Sequence, residues 1–303
     1  PGKTAAAVQA RIALERMIAN AGKPGAEAER TAISAALAQC LTGDHPEEAR
    51  REVLILLGWT AGDAEIPAIA ALLPDPVLGE SARGCLERIP GDKASLALLE
   101  GLTTTKDEMR QLIAGSLGRR KAYGLGPALA ERARQEDQVK QWPYAEALAK
   151  LGIPPMSLGN PTGNQSIFGG QQSYINTAIT AAEVCASQDD AKKATQICMY
   201  VARLNPAPPE TARMLRALAR AKAAELPRFA LGYMDIPGVR SVAIEALATA
   251  DAPDLEANLE KAYYVVDLSR RVAIIDVFAR RKSPLLAPIL EKGATDSIAE
   301  IRI

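Results

Sequence analysis

Apolar residues along this chain follow helical spacing, and the helical segments themselves recur. A hydrophobic anchor closes a helical run at Leu57, Leu86, Leu117, Leu148, Leu218, Leu247 and Phe278, at intervals of 29, 31, 31, 70, 29 and 31 residues. The long interval has room for one further unit and an insertion. Ten residues past three anchors stand Pro67, Pro127 and Pro288, where a first-turn proline costs a helix no hydrogen bond. Two residues further come Ile69, Leu98, Leu129, Leu259 and Leu290, the expected inward positions of a second helix.

The internal match is sharpest between residues 110–133 and 271–294, which align without a gap and agree at nine positions, among them Arg119/Arg280, Arg120/Arg281, Lys121/Lys282 and Pro127/Pro288. Each unit therefore reads as helix, turn, helix. Neither helix can bury its apolar face alone, so units must stack to complete a core. The expected fold is all-α, a right-handed α-α superhelical solenoid of about eight helical hairpins. It is read as one domain over 1–303, with an N-terminal capping pair in 1–44, regular repeats in 45–152, an irregular insertion in 153–173 and regular repeats again in 174–303.

Within the units a local pattern repeats, a residue-Arg pair leading through small apolar residues to an Ala-Leu or Leu-Gly end. It appears as Val239-Arg240 leading through Ala243 to Ala246-Leu247, as Met109-Arg110 leading to Leu117-Gly118, and as Ala49-Arg50 leading to Leu57-Gly58. Over most of its length the chain resembles the HEAT repeats, particularly the short bacterial kind related to phycobilisome lyase repeats. The resemblance implies a curved scaffold whose second helices line a concave, partner-binding face. It also implies that the pattern arginine pairs with an acid shortly upstream, here Asp107, Asp235 and Asp267 for Arg110, Arg240 and Arg271. No single activity follows from such a fold.

Composition narrows the functions. Lys plus Arg number 36 against 36 Asp plus Glu, so the cation excess that phosphate backbones reward is missing and nucleic acid is disfavoured as a partner. No apolar run reaches the roughly 18 residues of a membrane span. The chain opens on Pro1, which suggests a trimmed N-terminus; the expectation is a soluble monomer of the cytoplasm, or of the periplasm after removal of a signal. Cys40, Cys85, Cys185 and Cys198 have neither metal-site nor disulfide-framework spacing and read as small core residues. The one histidine, His45, stands at a helix start beside Asp44, which is poor ground for nucleophile or metal chemistry. Gly22-Lys23-Pro24-Gly25 reads as a turn rather than a phosphate loop. No metal, cofactor or catalytic residue is assigned.

Departures from the repeat mark the candidate contact residues. The stretch Gly152 to Ser173 holds five Gly, three Pro and no charge, and a loop of that length inside an array is either functional or a cover for exposed core. Its Gln171 and Gln172 offer uncharged hydrogen bonds, and Phe168 and Tyr174 flat apolar surface. Between the helix anchored at Leu148 and that anchored at Leu218 the count leaves one hairpin, so the fifth unit lacks its second helix; Ile167 or Phe168 folded into the gap beside Trp142 would plug it. Trp142 occupies a column otherwise held by Arg51, Glu80, Gln111 and Ser241, which places it on the surface, and Pro143 after it suggests a bent helix. Two residues past the anchors come Arg88, Arg119, Lys150, Arg220 and Arg280. This cation row either offsets helix dipoles or docks an acidic partner, reinforced by Arg120, Lys121, Arg281 and Lys282. The reading is a noncatalytic scaffold for a protein or peptide; the alternative is an enzyme or small-ligand protein using a cavity beside the 153–173 insertion.

Overall fold

A computed structural model describes residues 5–42, 44–137, 140–158 and 170–294, and all regular secondary structure among them is helical. The chain divides into two compact units, 1–151 and 152–303, with the boundary falling where the Gly/Pro-rich stretch begins. The first unit holds α1 (Ala5–Ala21), α2 (Glu27–Gln39), α3 (Glu47–Thr60), α4 (Ile66–Ala70), α5 (Gly79–Arg88), α6 (Asp92–Thr104), α7 (Asp107–Arg119), α8 (Gly126–Arg134) and α9 (Trp142–Ala149). The second holds α10 (Gln171–Ser187), α11 (Ala191–Ala202), α12 (Pro208–Arg220), α13 (Leu226–Tyr233), α14 (Arg240–Thr249), α15 (Leu255–Tyr263), α16 (Leu268–Arg281) and α17 (Leu286–Ala294).

In the first unit α3 packs on α5, α5 on α7 and α7 on α9, while α2, α4, α6 and α8 each pack against the first helix that follows. In the second unit α10, α12, α14 and α16 form the same succession, with α11, α13 and α15 bridging onward. All seven anchors stand in the last turn of a first helix, and each is 0% exposed. A leucine so buried stabilises by roughly 1.5 to 3 kcal/mol, which is why the interval between anchors is kept. Close approach also matters: a Cβ on Gly118 would lie 3.0 Å from the Ala147 carbonyl oxygen, so a larger residue after this anchor would push α9 away from α7 by a few tenths of an ångström.

Ile69, Leu98, Leu129 and Leu259 are buried as expected, but Leu290 is exposed and Ile289 is buried instead. The cause is positional. The other second helices each pack against the first helix of the next pair, whereas α17 is followed by no further helix among the described residues.

Between α9 and α10 the described residues contain only a 3-10 turn, Pro155–Leu158, which packs on α10. Pro154, Pro155 and Leu158 are buried there, and the Cys185 thiol donates to the Gly152 carbonyl at 3.2 Å. The start of the stretch is thus folded onto its own unit. Ile167 and Phe168, on which the plug expectation rests, lie outside the described residues.

Candidate functional site

The structure separates the cation row into two classes. In the first unit Arg119 pairs with Glu87 through two contacts, 2.6 and 2.8 Å, and in the second Arg280 pairs with Asp276 at 2.8 and 3.0 Å. Glu87 also accepts from Arg83 at 2.6 Å and from the Ser116 hydroxyl at 2.7 Å. The Arg119 guanidinium, with Ser116 and Arg83, holds the Glu87 carboxyl down at about 2. These arginines are spent on the fold. Arg88, Lys150 and Arg220, exposed like Arg119 and Arg280, have no carboxylate partner among the described residues; Arg88 lies over the Trp59 ring, 5.5 Å from its centroid.

Arg120 and Arg281, expected to reinforce a docking stripe, turn inward instead. Each guanidinium donates to the carbonyls that end the first helix of the preceding pair, Arg120 to those of Leu86, Glu87 and Ile89 and Arg281 to those of Leu247, Ala248 and Ala250. The need comes from the backbone. After α5 and α14 the chain leaves in extended conformation at Ile89 and Ala250, so the last carbonyls find no donor within their own turn. Helices α7, α12 and α16 end differently: Lys121, Lys222 and Lys282 take positive φ of 54°, 54° and 53°. That lets the following N–H groups of Ala122, Ala223 and Ser283 close on the carbonyls of Leu117, Leu218 and Phe278.

The pattern arginines find partners that the resemblance did not imply, while the side chain of Asp107, the acid expected for Arg110, lies outside the described ones. Arg50, Arg110 and Arg271 each donate Nε to a carbonyl just before their own helix, that of Leu41, Thr105 and Val266. Asp235 and Asp267 both meet Arg270 rather than Arg240 and Arg271. A carbonyl fixed by the turn is a better-placed acceptor than an exposed aspartate whose side chain must be ordered.

Two contact candidates are less exposed than the sequence suggested. Tyr174 lies in the core of α10, 1% exposed, with its ring 6.4 Å from that of Tyr200, and burial raises its phenol well above the ordinary range. Trp142 is half-buried at the first position of α9, and Pro143 therefore sits in a first turn where it bends nothing. Gln171 and Gln172 are exposed at the start of α10, and Gln171 donates to the Leu204 carbonyl at 2.7 Å. Phe168 lies outside the described residues.

What remains is a groove of about 350 Å³ in the second unit, between α12 and α14. Arg216 and Arg220, one helical turn apart on α12, form one wall, and Glu245 and Thr249 of α14 the other. At its end Lys222 meets Asp251 at 3.1 Å. Arg216 and Arg220 are exposed and have no carboxylate partner among the described residues. Sequence reasoning named Arg220 and passed over Arg216, although the i, i+4 spacing puts them on one face.

Among the described residues no helix is long and apolar enough to cross a membrane, and no group of three or more His, Cys, Asp or Glu could hold a metal ion. No family model matches the chain, and a search of curated proteins finds no relative.

Proposed function

We propose that the protein is a noncatalytic docking scaffold, a right-handed HEAT-like solenoid that takes an acidic segment of a protein or peptide partner. The observation that carries this reading is the pair Arg216 and Arg220, two exposed guanidinium groups on one wall of the α12/α14 groove without carboxylate partners among the described residues. Arg119, Arg213 and Arg280 are each held by an acid within the fold. The reading moves the contact surface from the concave layer of second helices to the ends of the first helices. It places the protein, as a monomer, in the cytoplasm or periplasm.

The test is fluorescence anisotropy with a labelled peptide of four glutamates between leucines. Two exposed ion pairs at roughly 0.7 kcal/mol each make about a tenfold difference. The double variant R216E/R220E should weaken binding by about that factor or more, with wild-type affinity falling as salt rises. Equal binding by the variant and the wild type would overturn the reading.

A further inference from the structure

Three first helices leave in extended conformation, α3 at Ala61, α5 at Ile89 and α14 at Ala250. The last two are clamped by Arg120 and Arg281, each three residues past the anchor of the next pair. For α3 the equivalent position is Ile89, a buried aliphatic residue. The carbonyls of Gly58 and Thr60 correspond to those of Glu87 and Ile89 in the first clamp and of Ala248 and Ala250 in the second. No side chain among the described residues donates to them.

Where the guanidinium is missing there is a cavity of about 370 Å³, lined in part by Ser34, Trp59, Thr60, Glu65 and Pro90, the last adjoining Ile89. Ser34 is 1% exposed and its hydroxyl has no hydrogen-bond partner among the described residues. Glu65, also buried, accepts the Gly62 N–H at 2.9 Å through one carboxylate oxygen. In the two occupied sites the guanidinium is received near the start of the second helix by a serine or a carboxylate, Ser95 for Arg120 and Glu256 for Arg281. Glu65 stands at the start of α4 and lines this cavity together with Thr60 and Ser34, so a carboxylate, a helix-end residue and an unpartnered hydroxyl meet there. Trp59 is 69% exposed, a flat π face at the rim.

We propose that this cavity binds a guanidinium group supplied from outside the chain. The planar fork matches a set of carbonyls plus a carboxylate, and stacks on tryptophan as a compact ammonium does less well. Arg30 on the cavity wall opposes a cation and keeps the affinity low.

The experiment titrates N-acetyl-arginine amide into the full chain and follows the Trp59 indole N–H by NMR, assigned with W59F. Saturable binding in the millimolar range is expected, weaker for N-acetyl-lysine amide, about tenfold weaker in E65Q and tighter in R30Q. A pentapeptide with a central arginine separates the sources: tighter binding than the amide assigns a partner's arginine side chain, and equal binding a small guanidino compound. The absence of a saturable shift in a chain with native circular dichroism, or binding that E65Q leaves unchanged, would overturn the proposal. The acidic-peptide assay at Arg216 and Arg220 is read separately, so either proposal can fail alone.

Discussion

Arg281 does in the second unit what Arg120 does in the first. Each guanidinium crosses to the preceding pair and donates to three carbonyls spaced alike from the anchor, those of Leu86, Glu87 and Ile89 in one case and of Leu247, Ala248 and Ala250 in the other. The contact ties one pair to the next across the point where the backbone stops supplying its own donors. Replacement by Met keeps most of the aliphatic packing and removes the donors, leaving part-buried carbonyls unpaired at about 1 to 3 kcal/mol. R120M and R281M should each lose about 2 kcal/mol in urea unfolding followed by hydrogen exchange of α5 or α14. Lys should restore it only in part: its ammonium can stand in for Nη1, which meets all three carbonyls in each clamp, but it lacks the Nε–H that reaches Ser95 from Arg120 and Glu256 from Arg281. A loss below about 0.5 kcal/mol would show the clamp to be incidental.

Glu87 makes stability in the first unit depend on acid. Hydrogen bonds from Arg119, Ser116 and Arg83 lower its folded-state value from 4.5 to about 2. A carboxyl lowered on folding contributes fully above its unfolded value and loses that contribution as pH falls through its folded one. The window is therefore from about 4.5 down to about 2. With its side chain 24% exposed, solvent screening trims the linkage to on the order of 2 kcal/mol. E87Q should be less stable than wild type at neutral pH, and the difference should shrink toward pH 2 in thermal melts. A constant difference would refute the linkage.

The fold was legible because burial repeats with the chain. Leu57, Leu86, Leu117, Leu148, Leu218, Leu247 and Phe278 occupy equivalent last turns, and a 29 to 31 residue interval between hydrophobic anchors needs no tertiary knowledge to see. The chemistry at the helix ends was not legible. Arg120-Lys121 and Arg281-Lys282 are visible as a repeated dipeptide, yet their use turns on whether one residue takes positive φ, and lysine gives no signal for that where glycine would. Trp59 interrupts a column of cations in the sequence and so reads as a gap. In the structure it is the most exposed tryptophan, partnered by the next cation of that column, Arg88. Gly58 permits the crossing, since a Cβ there would lie 3.2 Å from Arg88 Cδ.

Thiol chemistry separates the four cysteines. Cys85, Cys185 and Cys198 are buried, and burial pushes Cys85 and Cys198 up to about 12 and raises Cys185 in the same direction. Cys40, at the end of α2, is half-buried. At about pH 8 a colorimetric disulfide reagent should modify Cys40 in the native protein, while the other three react only as the units open. Rapid modification of two or more thiols without denaturant would contradict the burial.

The positive-φ lysines permit a gain in stability. Lys121, Lys222 and Lys282 hold left-handed conformations at the ends of α7, α12 and α16, and a residue with a Cβ pays about 1 to 2 kcal/mol there. Glycine removes that strain but adds unfolded-state freedom worth roughly 0.5 to 1 kcal/mol. The first effect wins, so each Lys→Gly change should stabilise by about 0.5 to 1 kcal/mol, and the Lys→Ala change should leave stability close to wild type because alanine keeps the Cβ. Lys222 is the discriminating case, since it also contacts Asp251 at 3.1 Å, an exposed pair worth a few tenths of a kcal/mol. Its gain should accordingly be the smallest of the three. Denaturant midpoints for the three Gly and three Ala variants decide it, and destabilisation by Gly at all three positions would mean that the left-handed turns are not where the chain bends.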